Sequence, residues 1–575
     1  MMYERNYKLL RSKFGEFFFP TLFTSMAGNI CLFVDGLMVS FLIGASNLAP
    51  IQIVAPVITF VNLIYWMIGL GGSVLCSVSK AEFDDEKSNG YFSVSIISLV
   101  SIGLLITLFG LLFSGNIAHF LCMSQPELTA DVSSYFVALI IGMPFLCYMM
   151  SLSYFIRADG IPALPFRAIL IANIVNICFD VIYIKFFGMG LSGAALATST
   201  GYIVGSVLIS YYFIKKERTL EFIKLKMNSF FNFFKRIATS GFSSASTQLY
   251  LTLKLLVINF LVGIYVGKSG VVAFGICYNS LFILYIFLIG TAQTMSPIVS
   301  VYFKEEDYSG VNYVVKRSLK IVLASSLALS VLFIVYPQAL LFLYSVKNPA
   351  DVPVVLNALR IFAISYVGTA ITFLYTFYSQ AIQKNQLSTI ISLLEGFVLP
   401  ISAAFILSYA IGGNGIWISF AIAEALTILF IFGYSRYINK KTNGEYTGFF
   451  INKHNDDKVF EHTISGDVKE AVNLSSDVQE YLKDNKSVAL VSLAIEEMLV
   501  NIINTNESVD TIDVIVRDNE DNILISIKDT GVEFNPVIEN EHLEFDNISV
   551  LNKIADKIDY SRVLGLNSTV ITIKN

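Results

Sequence analysis

Runs of predominantly apolar residues, each about twenty or more long, fill this chain from residue 14 to residue 437, parted by short polar breaks. About twenty apolar residues are what an α-helix needs to cross the hydrocarbon layer, and a helix satisfies its own backbone polar groups there. The runs lie near 14–43, 48–79, 91–114, 132–156, 165–187 and 192–214, then near 238–263, 270–303, 316–344, 355–381, 386–408 and 414–437. The expected fold class is therefore an α-helical polytopic membrane protein with twelve transmembrane helices. Only 14% of the 575 residues are charged, whereas about a quarter are charged in soluble domains, whose surfaces face water. The net charge of −5 gives no ground for a nucleic-acid partner. The six cysteines, at 31, 76, 122, 147, 178 and 277, lack paired spacing and read as packing residues rather than a zinc site or disulfide framework. The opening MMYERNYKLLRSKF is basic, but the apolar run after it outlasts a signal peptide's and shows no cleavage site, so a cytoplasmic tail is expected.

The runs divide into two sets of six, separated by the basic stretch KKERTLEFIKLKMNSFFNFFKR at 215–236. Gly44, Pro126, Gly190 and Gly193 recur as Gly267, Pro349, Gly412 and Gly415, each 222 or 223 residues on, and FDDEKSNG after the second run is echoed by FKEEDYSG after the eighth. Six is even, so both sets run the same way through the membrane. That makes two parallel six-helix repeats with a substrate path between them. The expected domains are a first bundle at 1–214, the basic linker at 215–236, a second bundle at 237–440, a linker at 441–458 and a soluble α+β domain at 459–575. Composition turns charged and Asn-rich near 440, and the remaining stretch is long enough for an independent core. Lysine and arginine crowd the loops on one side. Arg5, Lys8, Arg11, Lys13, Arg157, Arg167 and the 215–236 cluster stand against little more than Lys185, Lys268 and Lys347. The positive-inside rule then expects both termini in the cytoplasm.

Charges inside spans are costly, and they default to functional candidates. Helix 1 holds Asp35; helix 5 holds Asn176 and Asp180, four residues apart and so on one face. Thr198 of helix 6 follows the Gly188–Gly193 turn and is placed to reach the same depth. These are hard oxygen donors, suited to a proton or a small hard cation. The alternative is that they hydrogen-bond helices together. The segments FVDGLMVSFLIG (33–44), with Pro20 upstream, FIRADGIPALPF and NIVNICFDVIYIKFFGMGLSGAALATSTG (155–201) resemble the multidrug and toxic compound extrusion (MATE) family, over residues 1–440. The resemblance implies a secondary-active efflux antiporter for small amphiphilic or cationic substrates. Asp35, Asn176, Asp180 and Thr198 would be its Na⁺ or H⁺ coupling site. Some members carry acids in helix 7; here Gln248 and Lys254 stand there, and Ile258, Ser402 and Phe420 occupy the repeat positions of Asp35, Asp180 and Thr198. Coupling is therefore expected in the first half only. Glu395 and Glu424, in helices 11 and 12, and Lys254 remain without an assigned role, and a Lys254–Glu395 pair competes with simple packing.

After residue 458 the text reads strand (VFEHTI), helix (467–483), helix (486–505), strands TIDVIVRD and NILISIKD, helix (547–557), and strands DYSRV and STVITIK. Glu497 and Asn501 share a helix face; a carboxylate serves as general base and an amide oxygen as Mg²⁺ ligand. DTGVEFNP (529–536) follows an apolar strand, so that Asp529 is placed to accept from an adenine amino group and Gly531 to admit the base closely. This order resembles the GHKL ATP-binding fold, within it the bacterial anti-sigma-factor serine kinases, over 459–575. It implies Mg-ATP as ligand, Glu497 as catalytic base, Asn501 on Mg²⁺, Asp529 and Gly531 on adenine, and an anti-anti-sigma-like regulatory partner. The usual glycine-rich lid is replaced by the acidic ENEHLEFDNISV at 539–550. A docking or sensing module without turnover is therefore the competing reading for this domain. For the whole chain the competitor is a membrane-anchored signalling protein whose output is a serine kinase domain. A third reading, a flippase for lipid-linked sugars, is disfavoured by the helix-5 motif.

Overall fold

The computed structural model describes residues 5–81, 84–159, 161, 163–215, 218–444, 446–447, 452–453, 459–483, 487–505, 511–519, 522–532, 551, 553–563 and 566–574. The first half comprises α1 (Lys8–Ile43), α2 (Leu48–Tyr65, continuing as Gly71–Ala81), α3 (Asp85–Leu112), α4 (Thr129–Ile140 with Met143–Ala158), α5 (Ala163–Asp180) and α6 (Gly190–Ile209). The second comprises α7 (Met227–Tyr265), α8 (Lys268–Lys304), α9 (Tyr308–Val335), α10 (Asp351–Phe362 with Ser365–Ala381), α11 (Asn385–Leu393, continuing as Leu399–Ile411) and α12 (Gly413–Lys441). Each expected run thus becomes a helix. The fourth and tenth are bent, by 48° and 45°, and wider π turns interrupt α2 at Trp66–Leu70 and α11 at Leu394–Val398. Another π turn, Val181–Phe186, extends α5 immediately after Asp180.

The repeat is visible in the backbone. Gly44 and Gly267 both end a helix at positive φ, 101° and 79°, as Gly190 and Gly412 do at the start of the sixth and twelfth spans, at 58° and 66°. Each half also caps its third span with an aspartate: Asp84 accepts from the Lys87 amide at 3.0 Å, and Asp307 from the Gly310 amide at 2.8 Å. An N-cap carboxylate satisfies amides that the first turn leaves open. The halves meet along two seams, α1 on α8 and α2 on α7. In the second seam Thr252 donates to Thr59 at 2.9 Å, and the Asn259 amide donates to the Gln52 carbonyl at 2.8 Å.

The basic linker differs from its expected extent. α7 begins at Met227, so MNSFFNFFKR forms the first turns of a 39-residue helix. The stretch before it is strapped to the first half, with the Glu221 amide on Asn89 Oδ1 (2.8 Å) and the Ile223 amide on Ser93 Oγ (2.9 Å). The fully buried Leu220 explains why a basic stretch lies down rather than ranging into solvent.

The C-terminal domain has its own core. Strands β1 (Val459–Ile464), β2 (Ile512–Asp518), β3 (Asn522–Asp529), β4 (Lys557–Val563) and β5 (Leu566–Lys574) form one antiparallel sheet in the order β1-β2-β3-β5-β4. Helices α13 (Val468–Tyr481) and α14 (Val488–Thr505) cover one face through Leu474, Val491, Ile495, Met498 and Ile502, against Val514, Val516, Ile525, Ile527 and Ile571. α14 is long and apolar enough to cross a membrane, yet it serves as the internal helix of this domain. The expected helix at 547–557 gives way to β4 at Lys557, with residues 551, 553 and 554 helical. The acidic stretch 539–550 lies outside the described residues.

Candidate functional site

A cavity of ≈340 Å³ opens between the two halves, walled by α1, α2, α4, α5 and α6 on one side and α7 and α8 on the other. Asp35, Asn176 and Thr198 line it. Asp35 lies within hydrogen-bonding range of both Asp180 and Asn176. The Asn176 amide donates to Thr198 Oγ1 at 3.2 Å, and that hydroxyl donates to the Ala194 carbonyl at 3.2 Å. Asp180 is fully buried just behind the wall, and among the described residues neither of its oxygens receives a well-directed donor. Two facing carboxyls in a place with little water are stable only with a shared proton or an intervening cation. The four residues singled out from the sequence therefore stand together. The approach of α5 and α6 that makes this possible depends on Gly201, where a Cβ would come within 2.7 Å of the Ala172 carbonyl oxygen.

Tyr135, Tyr202, Gln52, Tyr278 and Asn279, which nothing along the sequence marks as a group, also line the cavity. Gln52 and Asn279 are polar residues in apolar runs and were detectable on that ground. Tyr135 and Tyr202 look like any aromatic in a membrane helix until the fold turns them inward. In the second half, Ile258 at the repeat position of Asp35 is fully buried and supplies no donor. Glu424 is held by Thr369 Oγ1 at 2.9 Å and Thr372 Oγ1 at 2.8 Å, and Lys254 is near enough to attract both Glu395 and Glu424. Glu424 thus has hydroxyl partners that make it interhelical glue.

In the soluble domain, Glu497 and Asn501 stand one turn apart on α14, and Asp529 ends β3 on the helix-covered face, in register with Ile512. The Asn501 amide nitrogen is buried without a partner among the described residues. Asp529 Oδ1 accepts from the Gly531 amide at 2.7 Å and from Asn567 Nδ2 at 2.9 Å. Asn567 in turn accepts from Tyr560 at 2.9 Å and Arg562 at 3.1 Å. Burial pushes the Asp529 carboxyl above its ordinary range, against those two hydrogen bonds. Burial and then the neighbouring Glu496 push Glu497 up as well. The unpartnered Asn501 nitrogen is a donor suited to an anion, and only the amide oxygen of Asn501 could serve as a Mg²⁺ ligand.

Two like-oriented helical halves around a polar cavity with facing carboxyls define a polytopic membrane transporter of the two-repeat class. The MatE family model matches residues 20–182 and 244–406, one copy per half. The chain belongs to that family. The multidrug export protein MepA of Staphylococcus saprophyticus is 23% identical over 412 residues, covering 70% of this chain and 89% of its own. MepA of Staphylococcus aureus strain MRSA252 is 24% identical over 416 residues, with the same coverages. Among solved structures, an inward-facing multidrug resistance MATE transporter superposes with TM-score 0.66 at 20% identity, covering 72% of this chain and 95% of its own. A MOP superfamily transporter from Pyrococcus furiosus gives 0.60 at 20% identity, covering 75% and 96%.

Proposed function

We propose that the chain is a secondary-active antiporter that exports small amphiphilic or cationic molecules across a bacterial cytoplasmic membrane, driven by inward movement of Na⁺ or H⁺. Both termini face the cytoplasm in this reading. The observation that carries it is the facing pair Asp35 and Asp180, with Asn176 and Thr198 beside them at the wall of a cavity between the halves. An ion bound there neutralises the carboxyl pair, its departure leaves negative charge facing the cavity, and a cationic substrate answers that charge. Tyr135, Tyr202 and Tyr278 line the wall, and aromatic rings attract such a cation. The naming of the Staphylococcus relatives as multidrug export proteins supports the same substrate class. The test is efflux of a fluorescent organic cation from proteoliposomes under an imposed Na⁺ or H⁺ gradient. Efflux under one of the two gradients is expected, and none under either would overturn the proposal.

The C-terminal domain is, in this reading, a regulatory module of the GHKL kind that holds Mg-ATP through Asn501, Asp529 and Gly531, with Glu497 as the base. Mg²⁺ screens the triphosphate and orients it. An anti-anti-sigma-like protein is the partner this implies. The full-length chain in detergent is expected to bind ATP at roughly micromolar to millimolar Kd, about −8 to −4 kcal/mol. Asn501→Ala removes the Mg²⁺ dependence, and Asp529→Ala removes the preference for ATP over GTP. Calorimetry showing no ATP binding at millimolar concentration would end the nucleotide reading while leaving the transport reading intact.

A further inference from the structure

The two span-capping aspartates have different surroundings. Asp84, in the first half, is solvated and paired with Lys87 at 2.6 Å. Asp307, its counterpart in the second, is buried by the outer face of the C-terminal sheet. There it receives Arg5 Nη1 at 2.9 Å and Lys528 Nζ at 3.3 Å. Arg5, from the arm that leads into α1, also reaches Asp513 of β2 at 3.0 Å. Lys528 of β3 pairs across the sheet with Asp513 and binds Glu305 at 2.6 Å. Arg517 binds Glu306 at 2.9 Å, Ser568 donates to Glu305 at 2.7 Å, and Ser309 donates to Glu461. The side chains of Arg5, Asp307, Asp513 and Lys528 are each at most 2% exposed. Tyr7 of the same arm stacks on Tyr313 of α9 with centroids 4.6 Å apart.

Three parts of the chain therefore meet at one buried charge network: the N-terminal arm of the first half, the α8–α9 turn of the second, and the soluble domain. We propose that the C-terminal domain is a clamp, which by seating its sheet on Arg5 and the Glu305–Asp307 turn fastens the two halves together on that side, so that this side opens only when the network parts. The clamp rests on the transport reading, in which the halves must separate on each face in turn. Burial opposes the charge on Asp307, but Arg5 and Lys528 outweigh it and hold the carboxyl far below its ordinary range. Burial likewise works against Arg5, and Asp307 and Asp513 outweigh it. The network thus stays charged, and a buried charge that loses one partner destabilises the remainder.

The test places spin labels on unnatural amino acids at Glu86, in the first turn of α3, and Asn385, at the start of α11, exposed positions of the two halves on the clamped side. Their distance is then read by pulsed resonance on the full chain in lipid nanodiscs. One narrow short-distance population is expected. Arg5→Ala and Lys528→Ala should each lose part of it to a longer-distance population, whereas Lys528→Arg, which keeps the positive charge toward Glu305 and Asp307, should retain more of it than Lys528→Ala. Arg5→Lys keeps the charge but lacks the planar fork that engages both Asp307 and Asp513, so partial loss is expected without a folding risk. Distributions unchanged from wild type in Arg5→Lys and in Lys528→Ala would overturn the clamp. The readout needs no transport, so wild-type chain with the expected distances but no gradient-driven efflux would support the clamp's geometry and sink the antiporter reading alone.

Discussion

Asp35→Asn is expected to abolish gradient-driven efflux while the protein still inserts and folds. The substitution keeps the size of the side chain and a hydrogen-bonding partner for Asn176 and Asp180, so the packing of α1 on α5 and α8 should survive. What it removes is the charge. With one carboxyl left of a facing pair, neither a proton nor a cation is held with the affinity that lets its gradient do work. We expect a fall of roughly 100-fold or more, about 2.7 kcal/mol at 1.36 kcal/mol per tenfold. Asp180→Asn should be nearly as severe, because the buried partner carboxyl is then missing. Glu424→Gln is the control: its amide oxygen can still accept from Thr369 or Thr372, and only a mild loss is expected. The measurement is initial efflux rate in proteoliposomes, normalised to monodisperse protein. A normal rate for Asp35→Asn would mean that this constellation is a structural joint and that coupling resides elsewhere.

A chain ending at Lys441 should insert and transport in vesicles free of ATP. All the spans precede that point, and the hydrophobic core of the soluble domain is separate from that of the bundle. What truncation removes from the membrane part is ionic: Asp513, Lys528 and Arg517 leave, while Arg5 keeps Asp307. Glu305 and Glu306 are then hydrated rather than stranded. If the domain clamps the halves, the truncated chain should run at or above the full-length rate, by up to roughly tenfold, the equivalent of about 1.4 kcal/mol on the opening step. Complete loss of efflux from a truncated chain shown to be folded would instead make the soluble domain part of the transport cycle, and the accessory reading of the architecture would fail.

Much of this architecture was legible along the chain because it is set by local rules. An apolar run of span length has to be a helix in lipid, and each of the twelve is one. The repeat was readable because glycine is the residue that tolerates positive φ, so Gly44 and Gly190 had to reappear as Gly267 and Gly412 wherever the second half makes the same turns. Alternation of apolar residues announced β2 and β3, and their cross-strand register follows from it. Spacing four apart also placed Asn176 and Asp180 on one face of α5 without any structure.

Other features were decided by tertiary packing. Whether Val488–Thr505 crosses a membrane or covers a sheet cannot be read from its hydropathy; the strands that follow it give its apolar face somewhere else to go. FKEEDYSG was readable as an echo of FDDEKSNG and nothing more, yet its aspartate lies buried against an arginine 302 residues away, which reaches a second aspartate 508 residues away. Likewise, Asp35 meets Asp180 only because α1 and α5 pack together at Asp35's own depth. The physical reason is range. Backbone preference and hydrophobic period act over a few residues and are written in neighbours, whereas the partner of a buried charge is chosen by whichever distant segment the completed packing brings within 3–4 Å, where Coulomb attraction first outweighs the cost of leaving water.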